Sequence, residues 1–273
     1  MRGLLLVPVL VLGGAIHKEW SEKHGVGMSL PNTWRVVERD RGDLVFDIVG
    51  PKLGPSNPRA RLLRAGGAAG APLQEIVKRA RHDVEGRDGW LITSQARRSV
   101  GAFPCVRMGV RFPGGRGRVT VALLGDAYYV LELSSAASHF PAATFDGMES
   151  SLGVAWREDK HPDGLVFKLP PGWSAQPHEE GGLRIEGPRR EAGATFLLLQ
   201  RDDAGREGDG AQVAFLGEKR KSHVEEREVD GVATRRLQVS GGGWTGQVLM
   251  PVEAWDDFYP VAEAILGTAR AAG

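Results

Sequence analysis

The feature that most constrains the fold of this chain is a seven-residue pattern that occurs twice. Residues 28–34 read Met-Ser-Leu-Pro-Asn-Thr-Trp and residues 167–173 read Phe-Lys-Leu-Pro-Pro-Gly-Trp, so both follow apolar-x-Leu-Pro-x-x-Trp. Proline has no N–H for a β-ladder, so the pattern predicts a short strand that ends at a turn. The tryptophan is expected to plug the core under a helix rather than to stack on a ligand. The residues of this structural corner are Leu30, Pro31 and Trp34 in the first copy and Leu169, Pro170 and Trp173 in the second.

Other short patterns follow each corner in the same order. The matched pairs are Leu44–Asp47 with Leu183–Glu186, Gly50-Pro51 with Gly187-Pro188, Ala102–Arg107 with Gly231–Arg236, and Phe145–Gly153 with Tyr259–Gly267. A repeat this long indicates two domains rather than a solenoid, and 273 residues are enough for two domains of ordinary size. We therefore predict a first domain at 25–156, a polar linker at 157–163 and a second domain at 164–271.

The second copy is the shorter one. Its tryptophan lies 139 residues after that of the first copy, but the end of its last helix lies only 114 residues after the matching position, a difference of 25 residues. Most of the loss falls in the block that matches residues 64–135. We predict that the second domain lacks one late strand and contains a short helix at 213–221 and a closing helix at 259–267.

Local patterns in the first copy predict both helices and strands. Pro72 and Pro141 each precede an apolar stripe with helical spacing, and a proline at the start of a helix loses no hydrogen bond. Residues 105–112 instead alternate, with apolar and arginine side chains on opposite faces of a strand. The 38 glycines and 16 prolines favour many short strands and turns.

The N-terminus suggests export. A positive start, Met1-Arg2, precedes an apolar run that ends at Ile16, which is shorter than the roughly 20 residues of a membrane-spanning helix. Small residues at Gly13 and Ala15 fit cleavage after Ala15. Residues 1–16 are thus predicted to be a signal peptide or an uncleaved membrane anchor, and the protein exported, periplasmic or membrane-tethered. The alternative is a first β-strand of a cytoplasmic protein.

The residues that usually carry chemistry form no recognisable constellation. Cys105 is the only cysteine, so neither an intramolecular disulfide nor a cysteine metal site is possible, and we expect it to be a small buried apolar residue. The seven histidines include no His-x-x-x-His pair. Neither a phosphate-binding glycine loop nor a Gly-x-Ser-x-Gly elbow occurs. We therefore expect no enzyme activity, no cofactor and no metal.

The two halves carry opposite charge. Residues 25–157 contain 18 Lys or Arg and 12 Asp or Glu, a net charge of +6, whereas residues 158–273 contain 14 and 20, a net charge of −6. Six arginines concentrate on neighbouring predicted strands of the first half, namely Arg97, Arg98, Arg107, Arg111, Arg116 and Arg118. They suggest an anionic partner, either an acidic protein or a lipid headgroup surface. Packing between the two halves and an ordinary solvated surface are the alternatives. Nucleic acid is disfavoured, because the whole chain is nearly neutral.

Taken together, these patterns resemble the PsbP-like superfamily, which includes the DcrB-like bacterial proteins. The resemblance rests on the repeated Leu-Pro-x-x-Trp turn, the Gly-x-x-x-x-Arg strand entry, the paired late strands and the terminal helix. It implies an α+β fold of two tandem domains, each an antiparallel sheet flanked by helices, with the second domain shortened.

The resemblance also implies a binding role. The best hypothesis is a non-catalytic extracytoplasmic accessory protein that binds a protein or a membrane surface. The alternative is a cytoplasmic chaperone that holds an apolar segment of a type VI secretion effector, which requires the N-terminal run to be a strand of the fold. A hydrolytic enzyme has no supporting constellation in the sequence.

Overall fold

The computed structural model describes residues 15–52, 54–66, 71–162, 164–179, 182–188, 196–201 and 208–271. The segment predicted as a signal peptide or anchor therefore lies outside the described residues, except for Ala15 and Ile16. Ile16 begins the first strand, where its register partner is Pro31. Among the helices described here, none is long and apolar enough to cross a membrane.

The first half consists of ten strands and two α-helices in the described residues. The strands are β1 (Ile16–Ser21), β2 (Val26–Pro31), β3 (Arg35–Arg41), β4 (Leu44–Val49), β5 (Arg59–Arg64), β6 (Leu91–Val100), β7 (Phe103–Phe112), β8 (Gly115–Leu124), β9 (Ala127–Ala136) and β10 (Gly153–Val154). The helices are α1 (Leu73–Glu85) and α2 (Ala142–Ser151), the latter preceded by a 3-10 turn, Ala137–His139.

The second half contains ten further strands and one α-helix within the described ranges. The strands are β11 (Arg157–Lys160), β12 (Leu165–Leu169), β13 (Ser174–Pro177), β14 (Leu183–Glu186), β15 (Phe196–Arg201), β16 (Gln212–Phe215), β17 (Glu218–Val229), β18 (Val232–Gly241), β19 (Trp244–Pro251) and β20 (Arg270–Ala271). The helix is α3 (Val252–Thr268). Strand β11 occupies most of the segment that the sequence indicated as a polar linker.

Two seven-stranded sheets dominate the fold. The first large sheet has the order β3-β4-β5-β9-β8-β7-β6, and the second has β13-β14-β15-β19-β18-β17-β16. Two three-stranded sheets, β1-β2-β10 and β11-β12-β20, accompany them. Neighbouring strands in these sheets pair antiparallel, as in the β8–β9 hairpin, whose two-residue turn contains Gly125 at a φ of 68°. The chain is therefore an α+β protein made mostly of antiparallel sheet.

Helix α1 forms where the sequence predicted it and covers one face of the first large sheet. Its buried residues are Leu73, Ile76, Val77, Ala80 and Val84, a spacing that places all five on one side of the helix. Pro72 occupies the N-cap position. The sheet residues beneath are apolar: Val119, the register partner of Met108, lines a cleft together with Ile76 and Val84.

Both corners lie in the core beneath the helix that closes their half. Trp34 is 4% exposed and its ring meets that of Phe145 in α2 edge to face at 5.8 Å. Trp173 is 2% exposed and meets Phe258 in α3 in the same way at 6.3 Å. In each half, the tryptophan also packs on the glycine of the recurring Gly-Pro pair.

The prediction that the second half lacks a late strand is wrong, because both large sheets contain seven strands in corresponding positions. The sequence echo had matched the strand that begins near Gly231 with β7, but in the sheet β18 holds the place of β8. The described residues of the second half instead show no counterpart of α1, so a helix accounts for much of the difference in length.

The short helix predicted at 213–221 is also wrong. Residues Gln212–Phe215 form β16 and residues from Glu218 onward form β17, joined by a turn in which Leu216 and Gly217 both have positive φ. Val213 and Phe215 are buried while Ala214 between them is exposed. This alternation is the two-residue period of a strand, which outweighed the apparent helical stripe.

The closing helix is longer than predicted. Helix α3 begins at Val252 rather than at residue 259, and it contains Pro260. Proline usually marks a helix start, because its missing N–H removes one hydrogen bond from a helix interior. Here the residues on both sides of Pro260 are held by burial, since Phe258 and Val261 are nearly inaccessible to solvent.

The two halves contact each other through α3 and through the second corner. Arg97 Nη2 of β6 donates to Asp257 Oδ1 of α3 at 3.1 Å, and the backbone N–H of Leu73 donates to Asp257 Oδ2 at 3.4 Å. At the second corner, a Cβ placed on Gly172 would lie 2.3 Å from Asp126 Cβ. Only glycine permits so close an approach to the β8–β9 turn.

Candidate functional site: the arginine face of the first sheet

Strand register divides the six predicted partner-binding arginines between the two faces of the first large sheet. In an antiparallel sheet, register partners share a face and alternate residues of a strand share it too. Arg111 is the partner of Arg116, Arg118 is the partner of Gly109, and Arg98 is the partner of Cys105. We call this surface the arginine face, the side of the first large sheet that carries Arg98, Arg107, Arg111, Arg116 and Arg118.

Arg97 is the exception. It lies one position before Arg98 in β6, so its side chain points to the opposite face, where α1 and α3 lie. There it contacts Asp257 and, at 3.7 Å between Nη1 and Oδ2, Asp256. The structure therefore places Arg97 in the contact between the two halves and not on the arginine face.

Two members of the arginine face serve to hold helix α2. Arg107 Nε donates to Glu149 Oε1 at 2.9 Å, and the Thr120 hydroxyl donates to the same oxygen at 2.9 Å. Glu149 is only 2% exposed, so its charge needs both donors. Arg118 pairs with Asp146 one turn earlier in α2. The charges of Arg107 and Arg118 are therefore neutralised by carboxylates of the same chain.

The other three members, Arg98, Arg111 and Arg116, form no ion pair with a carboxylate in the described parts of the chain. All three are exposed. Arg116 lies over the ring of Phe140, 4.8 Å from its centroid, which orders the side chain without neutralising it. Arg111 and Arg116 lie directly opposite each other, and like charges in that position destabilise a sheet. Unneutralised positive charge is thus the chief electrostatic feature of the site.

The single thiol on this face is inert. Cys105 is fully buried. Burial, and to a smaller extent the charge of Glu149, raises the pKa of its thiol to about 12. A thiol is nucleophilic only as a thiolate, so Cys105 has no reactive form near neutral pH.

A cluster of Ser21, His24 and Asp40 resembles a catalytic set in composition but not in geometry. The Ser21 hydroxyl donates to Asp40 Oδ1 at 2.5 Å, and His24 Nε2 lies 3.8 Å from the same oxygen. The carboxylate therefore stands between serine and histidine, whereas an activated serine needs the histidine as its direct acceptor. Ser21 is also buried. Burial, with the charge of Lys23, lowers the pKa of His24, which keeps the imidazole neutral.

A cleft of about 300 Å³ lies between α1 and the sheet. Its floor is apolar, with Leu63 and Val130 among its lining residues. The carboxylate of Glu132 at one side already pairs with Arg87, at 2.5 Å, and with Arg61, at 3.9 Å. Since these arginines neutralise it, Glu132 is not a free acid for chemistry. Within the described ranges, no three His, Cys, Asp or Glu side chains are grouped so that they could hold a metal ion.

Two residues that contact the predicted arginines were not identified from the sequence. Phe140 stacks under both Arg116 and Arg118, the latter at 5.4 Å from the ring centroid. Asp257 receives Arg97 from 160 residues away. The position of Phe140 just before Pro141 was a weak sequence signal for its role. The sequence near Asp257 contains no signal for its contact with Arg97.

Comparison with known proteins gives only a partial likeness in fold. No protein-family model and no curated protein matches the chain. Among solved structures, it is similar to cyanobacterial PsbP (CyanoP) from Synechocystis sp. PCC 6803, with 13% identity and a TM-score of 0.41 over 53% of this chain and 95% of that one. It is also similar to a crystal structure from Bacteroides thetaiotaomicron VPI-5482, with 14% identity and a TM-score of 0.37 over 55% of this chain and 52% of that one.

A third similar structure is LpqN, described as involved in cell envelope biogenesis of Mycobacterium tuberculosis, with 14% identity and a TM-score of 0.37 over 51% of this chain and 91% of that one. The first of the three is a PsbP protein. Identities of 13–14% and TM-scores below 0.5 say nothing about what this chain binds. The tandem arrangement and the DcrB-like assignment stay predictions.

Proposed function

We propose that this protein is a non-catalytic accessory protein of the cell envelope that binds an acidic protein partner through the arginine face. The observation that supports this most directly is a set of three exposed arginines that form no ion pair with a carboxylate of the described residues, two of them directly opposite each other in register. Such an arrangement is unfavourable in the free protein, and a bound anion would relieve it. The envelope location rests on the export signal predicted at residues 1–16.

A protein partner fits this face better than a flat lipid surface. Helix α2 stands above the middle of the face, where Glu149 and Asp146 hold it against Arg107 and Arg118. Arg111 and Arg116 lie at the level of the strands beside it. A polypeptide can follow such a step in the surface, whereas a membrane plane would meet the helix first.

The test compares binding of two anionic probes, poly-L-glutamate and vesicles of phosphatidylglycerol with phosphatidylcholine, to the wild type and to two double variants. Arg111→Ser with Arg116→Ser removes the opposed pair. The control, Arg41→Ser with Arg79→Ser, removes the same charge from arginines that pair with Glu38 and Glu75 elsewhere. We expect the face variant to bind poly-L-glutamate roughly tenfold more weakly and the control to differ by less than about twofold.

Three results would reject the proposal. Equal loss in both variants would show a response to net charge alone, and no loss in either would show that the arginine face binds no anion. Binding to the vesicles but not to poly-L-glutamate would assign the face to a membrane surface. The location has its own test, because recovery of a C-terminally tagged chain from the cytoplasm with its N-terminus intact would contradict export.

A further inference from the structure

The two large sheets end in four edge strands, and one of them is unlike the other three. The edges are β3 and β6 in the first sheet and β13 and β16 in the second. An edge strand exposes a row of backbone N–H and C=O groups that can pair with another chain, and folded proteins commonly obstruct it. Short length, proline, bulges and mixed charge are the usual means of obstruction.

Three of the four edges carry such an obstruction. Strand β13 has four residues and ends in Pro177. Strand β16 also has only four residues, and beyond it the outer side of β17 from His223 to Val229 has no partner strand in the described residues but carries mixed charge at Glu225, Glu226, Arg227 and Glu228. Strand β3 contains a bulge between Val36 and Glu38 and alternates basic and acidic side chains. None of these edges offers a long, regular ladder that is free of acidic side chains.

Strand β6 is ten residues long and its last seven residues are unobstructed. Its one irregularity lies between Ile92 and Ser94. From Ser94 to Val100 the sequence contains no proline and no acidic residue, and five of these seven residues are exposed. No strand in the described residues pairs with the outer side of β6, whose register is with β7 alone. The strand thus offers a regular ladder with both sides of its side-chain row accessible.

The hairpin geometry indicates which backbone groups are available. Val100 and Phe103 flank a two-residue turn, with Gly101 at a φ of 58°. In such a hairpin the flanking pair exchanges both of its hydrogen bonds, and every second pair before it does the same. The groups of Gln95, Arg97 and Ser99 therefore point away from β7. They form the ladder that an added strand would use.

We infer that β6 receives an extended acidic segment of a partner protein as an eighth strand of the first large sheet. This inference rests on the proposed function and names the way in which the partner enters. The charge argument is local: Arg98 lies on the strand itself, faces the side of the arginine face, and has no carboxylate partner in the described chain. An acidic side chain at the matching position of the added strand would pair with it across the strands.

A second copy of this chain is a poorer occupant. Pairing β6 with β6 of another molecule would bring Arg97 and Arg98 of both copies to one short ladder without a single carboxylate from either strand. Like charges on adjacent strands oppose such pairing. Backbone bonds from an extended peptide supply affinity, and alternate side chains supply specificity, so one acid in register with Arg98 suits the edge.

The experiment uses the full chain and a fluorescein-labelled, N-acetylated peptide in which valine alternates with threonine and glutamate. Binding is followed by fluorescence anisotropy. Gln95→Pro removes one outward N–H but leaves the bonds between β6 and β7 in place, since proline is tolerated on an edge where its nitrogen faces solvent. Gln95→Ala is the matched control, because it removes the side chain and keeps the N–H. We expect roughly tenfold weaker binding for Gln95→Pro and less than about a twofold change for Gln95→Ala.

Two further measurements avoid any change to the sheet of the protein. One changes only the peptide, and the other substitutes one exposed side chain. A peptide N-methylated at every second residue, which cannot complete the ladder, should lose binding to the wild type. Arg98→Ser should weaken binding of the glutamate peptide several-fold and leave a glutamine version of that peptide unaffected. The N-methylated peptide tests strand addition even if Gln95→Pro lowers the stability of the sheet, because it is measured with the wild-type protein.

The results separate this inference from the proposed function. If N-methylation and Gln95→Pro leave binding unchanged while Arg111→Ser with Arg116→Ser reduces it, the strand-addition site is wrong and the arginine face stands. If none of these changes reduces binding, both are wrong. A dimer in solution that Gln95→Pro dissociates would overturn the acidic occupant in favour of a second copy.

Discussion

The two halves of this protein build the same seven-stranded order but cover it differently. In the first half, α1 packs on one face of the sheet and α2 on the other. In the second half, α3 packs on one face, where a Cβ on Gly246 would lie 2.7 Å from Leu266 of the helix. No helix covers the other face in the residues that the structure describes.

The composition of the strands follows this difference. Under α1 the first sheet presents Met108, Val119 and Val121, all buried. The corresponding side of the second sheet presents Arg236 and Gln247, which hydrogen-bond each other at 2.8 Å and are partly exposed. An antiparallel sheet can leave one face to water if that face is polar. In the described residues of the second half, the uncovered face of the sheet is therefore the polar one.

The corner is buried under a helix in both halves, and its removal should have the largest effect. Trp34→Ala and Trp173→Ala should each lower the free energy of unfolding by about 3–5 kcal/mol, because each truncates a large buried ring packed under a helix. Urea unfolding followed by circular dichroism measures the loss. Trp20→Ala, at a partly exposed position, is the control and should cost less than either. A much smaller effect for Trp173→Ala than for Trp34→Ala would show that the two corners do not contribute equally to stability.

The glycine beneath each tryptophan should distinguish the corners more finely. A Cβ on Gly50 would lie 2.7 Å from two carbons of the Trp34 ring and 2.8 Å from Pro58, whereas a Cβ on Gly187 would lie 3.0 Å from the Trp173 ring. Gly50→Ala should therefore lower the free energy of unfolding by about 1–3 kcal/mol. Gly187→Ala should cost less than Gly50→Ala, since a shift of the ring by a few tenths of an ångström accommodates it. Equal losses, measured in urea, would contradict the difference in packing.

Many elements of each half could be predicted from local sequence, because the spacing of their apolar residues distinguishes a helix from a strand. The stripe of α1, the alternation of β7 and the turn between β8 and β9 all follow from spacing within a dozen residues. The strand β16 could not be predicted in this way, since four residues and a turn resemble one turn of a helix until the partner strand is known. The position of β18 in its sheet was also predicted wrongly. Two strands can begin with similar residues and still occupy different places in the sheet.

The candidate site could be predicted only in part. The cluster of arginines was visible in the sequence, and strand parity alone implies that Arg97 and Arg98 point to opposite faces. Which of them are already neutralised depends on Glu149 and Asp257, which reach the sheet from distant helices. Attraction between the oppositely charged halves stays a prediction, and the ion pair between Arg97 and Asp257 is the place to measure it.

That ion pair offers the smallest of the expected effects and the most direct test of how the halves are joined. Asp257 accepts from Arg97 and from the first N–H of α1, where a negative charge favours the helix dipole. The N-cap residue, Pro72, has no side-chain hydrogen bond of its own, so the second half supplies the anion that the first half lacks.

Asp257→Asn keeps the shape and removes the charge, and it should lower the free energy of unfolding by about 1 kcal/mol at low ionic strength. Asp256→Asn is the matched control. The carboxylate of Asp256 is largely exposed and lies 3.7 Å from Arg97, so this replacement should change the free energy of unfolding by less than about 0.5 kcal/mol. Salt should reduce the effect of Asp256→Asn proportionally more than that of Asp257→Asn, because screening weakens an exposed ion pair more than a buried one. If both variants lose the same stability, the contact reflects general charge attraction between the halves rather than a specific cap on α1.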